Sequence, residues 1–546
     1  MSTYGIDLGT TYSCIARLDA NGNPEVVRNN EDNSNTLASV VFFENENNVI
    51  VGQAAKENIE TDGNRVVQFV KREIGKANGR TYEFDGKTYT PVEISALILA
   101  RLKNIVESQG GTIDNVVITV PAYFGLEERS ATKQAGELAG LNVLSLINEP
   151  TAAALSYCAR QFQEDRTILV YDLGGGTFDV TVIKMSMTPN EQSGEVQKIT
   201  VLATGGEDRL GGKDWDDKLF NYILQACCDE NGCTAEEIEA ETRQDIRSKV
   251  EEAKRKLSSK ETTKVRIDVN GNRTEVVITR KDFERLTADK VGQTMNHVES
   301  TLAKVPDAVI DTVLLVGGST YMPMIKNAVE AKFPGKVRQH DPDQAVAKGA
   351  AIYASMLGVA VEGVSDTVED SGTPSDEPVS DKRAELAAKF TVEDQTPRSF
   401  GPGVVDTKGN KNKYILENFI KIGEKMPAVA TRTYYPIEDN QERVRLRAFE
   451  NMSTEDAIIP SVDEEGNPQA TDPAHGVKLL GELIVNLPPN TPKTTKIEVT
   501  FKVDASGVHV EAVNTATDDK FETFLRTASD IDIDKSAVHQ LRISSD

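Results

Sequence analysis

Two short stretches of this sequence pair an aspartate with glycines and hydroxyls in the same order. One is Gly5-Ile6-Asp7-Leu8-Gly9-Thr10-Thr11-Tyr12, and the other is Val170-Tyr171-Asp172-Leu173-Gly174-Gly175-Gly176-Thr177-Phe178-Asp179. Each is an apolar strand running into Asp-Leu-Gly and then small residues. Glycines let backbone N–H groups approach phosphate oxygens, and such a turn forms an anion-binding nest. Thr10, Thr11 and Thr177 add hydroxyl donors. Carboxylates repel phosphate, so Asp7, Asp172 and Asp179 make chemical sense with a hard cation such as Mg²⁺ between, held partly through water. One such hairpin is explained by turn chemistry alone. Two copies, each leaving a strand, predict two related lobes facing each other across a phosphate-binding cleft.

Two further elements fit that cleft. Val313-Leu314-Leu315-Val316-Gly317-Gly318-Ser319 is a third strand into glycines, either a tight turn or backbone packed on a base and ribose. Glu251, Lys254, Arg255 and Ser258 recur at i, i+3, i+4 and i+7, one face of a helix. Such a face is either solvated or clasps a ligand.

Around these motifs, residues 1–358 alternate short apolar strands with helical stretches, the pattern of an α/β domain. Asn115 to Val120 reads as a strand closed by Pro121, Leu126 to Ala139 as a helix, and Asn142 to Ile147 as a strand. Glu149-Pro150 opens a helix, proline being suited to a first-turn position. Residues 359–389 are rich in Asp, Glu, Ser, Gly, Thr and Pro and read as an acidic flexible linker. Residues 390–530 switch to period-two alternation. Val444, Leu446 and Ala448 alternate with arginines, and Ile497, Val499, Phe501 and Val503 precede an Asp504-to-Gly507 turn. That pattern predicts a half-buried antiparallel sheet with a hairpin. Residues 531–546 read as the start of a lid helix or a tail, with Lys535 to Arg542 as the helical candidate.

The chain's 61 Lys and Arg against 86 Asp and Glu give a net charge of −25, which disfavours a nucleic-acid partner. No basic n-region opens the sequence and no apolar run is long enough to span a bilayer, so neither secretion nor a membrane is expected. Five cysteines are too few for a disulfide scaffold of this size, and a cytoplasmic location is the expectation. Cys227, Cys228 and Cys233 lie close together but lack a second ligand pair for zinc, which leaves helix-packing thiols.

The sequence resembles the DnaK-type, seventy-kilodalton heat-shock chaperone family (heat-shock protein 70), within the actin-like ATPase superfamily. The resemblance rests on the two Asp-Leu-Gly motifs, Val120-Pro121-Ala122-Tyr123-Phe124, Asn148 to Ala154, Leu210-Gly211-Gly212, Glu252 to Ser258, Gly317 to Thr320 and Pro342 to Ala347. More loosely, Thr396 to Gly401, Glu438 to Gln441 and Leu480 to Phe501 match the family's peptide-binding region. It implies a two-lobed actin-like (ribonuclease H-like) ATPase domain followed by an antiparallel β-sandwich that binds extended peptides. The implied activity is ATP hydrolysis to ADP and phosphate, with Mg²⁺, in the service of unfolded proteins.

By position, the resemblance places Lys71 beside the γ-phosphate, Glu149 and Asp172 on or near Mg²⁺ through water, Asp7 and Asp179 completing the carboxylate cage, and Thr177 at the γ-phosphate. Gly9, Thr10, Thr11, Tyr12, Gly174, Gly175, Gly176, Gly211 and Gly212 would surround the phosphates. Glu251, Lys254, Arg255 and Ser258 would clasp adenosine, with Gly317, Gly318, Ser319, Tyr321 and Asp343 opposite. Pro121 and Arg129 would relay nucleotide state, and Tyr434, Ile437, Val444 and Leu446 would line the peptide cleft. Implied partners are client peptides, a J-domain co-chaperone and a nucleotide exchange factor, with the chain itself a monomer.

Four departures stand out. Tyr321 replaces an arginine that packs on adenine. Lys213 stands where the family carries an acid. The family's leucine-rich interdomain linker is reduced to Phe390 and Val392, which offers little apolar surface for docking. Beyond the start of a lid helix or tail read over residues 531–546, the family's helical lid is expected to be missing from these 546 residues. A small-molecule kinase of the same superfamily, or a nucleotide-gated binding protein without efficient turnover, are the alternatives; the first leaves the β region unexplained, and intact Lys71, Glu149, Asp172 and Thr177 argue against the second.

Overall fold

Parallel strands buried on both faces need near-continuous apolar sequence, and Asn115–Val120, NVVITV, is buried at every position. It is one of five strands ordered Val143–Asn148, Asn115–Val120, Thr3–Asp7, Tyr12–Leu18 and Pro24–Val26, with Leu37–Ala38 also on Tyr12–Leu18. The first three run parallel, and Tyr12–Leu18 returns antiparallel with Asp7 opposite Cys14. A second sheet repeats the plan. Its order is Val337–Gln339, Thr312–Val316, Arg166–Leu173, Phe178–Asn190, Gly194–Glu207 and Phe390–Glu393. Again three strands are parallel and the hairpin after the aspartate is antiparallel, with Asp172 opposite Asp179. Both aspartate motifs therefore sit at the carboxyl end of a strand, where the chain turns back.

The computed structural model describes residues 2–76, 80–159, 164–190, 194–269, 271–362, 389–406, 413–459, 476–504, 507–525 and 541–544. The chain forms two compact units. The first joins Met1–Tyr123, Thr132–Val392 and Asp534–Asp546, and the second joins Phe124–Ala131 with Glu393–Ile533. Among the described residues no helix is long and apolar enough to cross a membrane.

In the first unit, helices Glu149–Cys158 and Ala345–Glu362 cover the strands with small residues. A Cβ on Gly349 would lie 1.7 Å from the Ala152 carbonyl oxygen, and one on Gly5 would lie 2.0 Å from the Ala351 nitrogen. Backbone thus packs directly on backbone. Helix Pro91–Glu107 starts with a reciprocal cap in which the Thr90 hydroxyl accepts from the Glu93 N–H and the Glu93 carboxylate accepts from the Thr90 N–H. A hairpin of Thr262–Val269 and Asn272–Thr279 alternates exposed and buried residues and joins helices Gly212–Asn231 and Ala240–Ser259 around Trp215. Cys227 and Cys228 pack in that core.

A separate four-stranded sheet has the order Arg542–Ser544, Asn48–Val51, Val40–Asn45, Val66–Gln68. Arg542 was the expected end of a helix from Lys535; it begins a strand instead, and residues 535–540 lie outside the described residues. The helix expected over 126–139 spans Leu126–Leu138. The acidic segment lies outside the described residues from 363 to 388, and its first residues continue helix Ala345–Glu362.

The expectation that Phe390 and Val392 contribute little to docking is corrected. Phe390 is buried in a core shared with Met185 and Val201, its strand extends the second sheet beside Gly194–Glu207, and the Gln197 N–H donates to the Lys389 carbonyl at 2.7 Å. Strand addition gains backbone hydrogen bonds, which an inventory of apolar side chains does not register.

The second unit contains two antiparallel sheets. One is ordered Ala457–Ile459, Lys413–Leu416, Ser399–Asp406, Arg443–Asn451, Lys478–Asn486, and the other Ala428–Tyr434, Ile497–Asp504, Gly507–Asn514, Asp519–Leu525. The expected hairpin pairs Asp504 with Gly507. Ile497, Val499, Phe501 and Val503 are buried in a core they share with Leu446, Leu483 and Val485 of the other sheet.

Candidate functional site

The two aspartate hairpins of the first unit meet at one cavity of about 560 Å³. Their contact is close: a Cβ on Gly175 would lie 1.7 Å from the Thr11 hydroxyl oxygen, and one on Gly176 would lie 2.3 Å from the Thr10 methyl. Only glycine allows this approach, and it leaves a cradle of backbone and hydroxyls. The Thr11 hydroxyl is buried with no hydrogen-bond partner among the described residues, a donor held ready for a ligand oxygen. Arg72 braces the cradle from behind, donating through Nε to the Gly176 carbonyl at 2.9 Å and through a terminal nitrogen to Asp214 at 2.9 Å.

Lys71 reaches the cavity floor from a single 3₁₀ turn, Val70–Arg72. The residue before it, Phe69, has φ of 59°, a strained conformation for a bulky side chain. Lys71 ion-pairs with Glu149, both side chains being nearly excluded from solvent. Asp7 and Asp172 share the same floor. Burial, and next the Glu149 carboxylate, push Asp7 up to about 7. Burial followed by Glu149, Asp179 and Asp7 raises Asp172 well above the carboxylate range. One lysine cannot neutralise four buried carboxylates, so the donor set fits an added cation. Among the described residues no group of three His, Cys, Asp or Glu is spaced to ligate one ion directly.

The helix face inferred from spacing belongs to Ala240–Ser259 and lines the cavity with Glu251, Lys254, Arg255 and Ser258. Lys254 donates to the Gly212 carbonyl at 3.0 Å and to Asp216 at 2.7 Å. Opposite, Gly317 turns at φ of 84°, and the Ser319 hydroxyl donates to the Gly174 carbonyl at 2.8 Å. Tyr321 lines the cavity half-exposed and donates to Asp343 at 3.2 Å; burial and Asp343 push its phenol up to about 12. Gly9, Thr10, Thr11, Tyr12, Gly174, Gly175, Thr177, Gly317, Gly318, Ser319 and Asp343 also line the cavity. Gly176, Gly211, Gly212 and Asp179 stand just behind it; a Cβ on Gly211 would lie 2.5 Å from the Gly176 nitrogen.

Sequence reasoning missed Lys56, Arg72 and Asp216. Each sits among other charged residues in an ordinary helix or turn, without a spacing signal of its own. Lys213, flagged as a departure, turns to Asp217 and its ammonium stands 5.6 Å from the centre of the Phe69 ring.

The relay candidates are both buried, and Arg129 donates to the Phe124 carbonyl at 3.0 Å. In the second unit the four peptide-cleft candidates are only partly gathered. Leu446 is buried core, while Val444 and Tyr434 pack half-buried against that core. Tyr434 stacks on Phe419 and bonds Glu417, whereas Ile437 is 68% exposed, its N–H donating to Gln441.

A sequence model of the family described as Hsp70 protein matches residues 3–82 and 77–370. The chain belongs to the Hsp70 family. It is 35% identical over 524 residues to proteins named "Chaperone protein DnaK" from Thermotoga petrophila and Thermotoga maritima, a match covering 93% of this chain and 77% of each relative. As an Hsp70 it is an ATP-dependent molecular chaperone and an ATPase, and its family binds ATP and ADP.

Proposed function

We propose that residues 1–358, with strand Phe390–Glu393 added to their second sheet, form a two-lobed actin-like ATPase domain whose cavity holds ATP, and that the rest of 390–530 forms a β-sandwich binding extended apolar segments of unfolded proteins, joined by the linker 359–389. The observation that carries this reading is the meeting of both glycine–threonine hairpins over the Lys71–Glu149 pair. Backbone N–H groups of Gly9 to Thr11 and Gly174 to Thr177 would cradle the phosphates. Lys71 would hold and orient the attacking water and stabilise the charge that builds up on the γ-phosphoryl oxygens. Thr177 would donate to the γ-phosphate.

Asp7, Glu149 and Asp172 would hold Mg²⁺, mostly through water, and the ion would supply the positive charge that this carboxylate floor lacks. Glu251, Lys254, Arg255 and Ser258 would clasp adenosine against Gly318, Ser319, Tyr321 and Asp343, where Tyr321 offers a ring for stacking. Pro121 and Arg129 would relay nucleotide state. Tyr434, Val444 and Leu446 would form the peptide pocket, with Ile437 at its rim. Client peptides, a J-domain co-chaperone and a nucleotide exchange factor are the partners of a cytoplasmic monomer. Phosphate release with and without an apolar peptide tests the reading: slow Mg²⁺-dependent turnover stimulated by peptide supports it, and turnover absent under all conditions overturns it.

A further inference from the structure

Strand Asn48–Val51 would be an open sheet edge if only its neighbours in sequence paired with it. Its Val49, Ile50 and Val51 side chains are buried, so it lacks the charges and prolines that usually blunt an exposed edge. The edge is instead paired, in parallel, by Arg542–Ser544, with Arg542 opposite Asn48, Ile543 opposite Val49 and Ser544 opposite Ile50. The Arg542 N–H donates to the Asn47 carbonyl at 2.9 Å, and the Asn48 amide donates to the Ser544 hydroxyl at 3.4 Å. Leu541, just ahead, is 7% exposed. Backbone bonds supply affinity, while a buried leucine and one side-chain pair fix the register.

The acceptor sheet leads directly to the nucleotide cavity. Strand Asn48–Val51 passes through Gly52, at φ of 116°, into helix Gln53–Glu57, whose Lys56 bonds Glu251 and Tyr12 at the cavity wall. The opposite edge strand, Val66–Gln68, passes through Phe69 to Lys71. The two edges of this sheet thus lead into two of the lysines that line the cavity, Lys56 and Lys71. We propose that this edge is a strand-acceptor site, that its occupant is the chain's own segment Leu541–Ser544, and that occupancy slows nucleotide release by fixing the sheet that carries Lys56. The second half of this statement rests on the nucleotide reading above; the first does not.

The test compares the parent with a Leu541→Asp, Ser544→Pro double variant, which removes the buried anchor and one ladder donor without touching the cavity. Hydrogen exchange over residues 46–52 reads the pairing, because a parallel ladder places the Val49 and Val51 amides against the added strand. Release of a fluorescent ADP analogue reads the coupling. The expected result is loss of protection at those amides and release at least threefold faster, both reversed by a synthetic peptide of residues 538–546 added in excess. Unchanged protection overturns the acceptor site. Lost protection with unchanged release overturns the coupling. A parent that binds no ADP analogue instead refutes the nucleotide reading, and the exchange data still decide the pairing.

Discussion

Lys56 and Glu251 bond to each other across the mouth of the cavity, and the Tyr12 hydroxyl bonds both, accepting from Lys56 at 2.9 Å and donating to Glu251 at 2.9 Å. Burial works against the Glu251 carboxylate, yet the Lys56 ammonium outweighs it and holds Glu251 below its ordinary range. The two residues come from separate helices, Gln53–Glu57 and Ala240–Ser259, so on the proposed nucleotide reading the pair would act as a latch that parts when a nucleotide leaves. With about a fifth of each side chain exposed, the latch is worth on the order of 1 kcal/mol. Glu251→Gln is expected to speed ADP release about fivefold in stopped-flow displacement. An unchanged rate removes the pair from the gate.

Gly175→Ala places a methyl where the Thr11 side chain stands. The hairpins must separate, so adenine-nucleotide affinity should fall by about a hundredfold or more while the fold survives. Calorimetric titration checks it, and Gly292→Ala, on helix Ala288–Ala303 with nothing within 4 Å of the added methyl, serves as the comparison.

Lys71→Ala leaves the buried Glu149 carboxylate without its lysine. Removing one partner of a buried pair costs about 3–5 kcal/mol, so the nucleotide-free melting temperature should drop. Phosphate release should fall at least a hundredfold, with nucleotide affinity nearly retained. Turnover at the parent rate would exclude Lys71 from the chemistry.

Asp216 gives a pH signature. Burial raises its carboxyl to about 6 although Lys254 pulls it down. A raised carboxyl stabilises the fold only while protonated in both states, so its contribution is whole below about 3.8 and is lost as pH rises through about 6. With 22% of the side chain exposed, the change stays below about 3 kcal/mol. Between pH 4.5 and 7 the parent should lose melting temperature relative to Asp216→Asn. Parallel curves would show that Asp216 titrates normally.

Val444→Phe adds bulk at a half-buried position beside the core of the second unit, opposite Val485. Peptide affinity should fall at least tenfold in fluorescence anisotropy, with the far-ultraviolet spectrum and melting temperature nearly unchanged. Full peptide affinity in a folded variant would move the pocket elsewhere.

Legibility followed locality. The aspartate hairpins could be read because strand, acid and glycine are contiguous, and the register of Asp172 with Asp179 follows from that turn. The 240–259 helix face could be read because periodicity is local. Lys56, Arg72 and Asp216 could not, since each gains its role only from a partner far along the chain: Glu251, Gly176 and Lys254 respectively. Arg542–Ser544 is too short for any period, and its strand exists only because Asn48–Val51 offers an edge. Phe390 was undervalued for the same reason, its place being set by the free side of Gly194–Glu207.

Helices Glu149–Cys158 and Ala345–Glu362 meet through Gly349 and Ala152 with no side-chain layer between them. At that crossing there is no side chain to interlock or to compress, so drawing the helices apart would open a void there. One methyl group added at Gly349 would meet the Ala152 carbonyl oxygen at 1.7 Å and is expected to force the two helices apart.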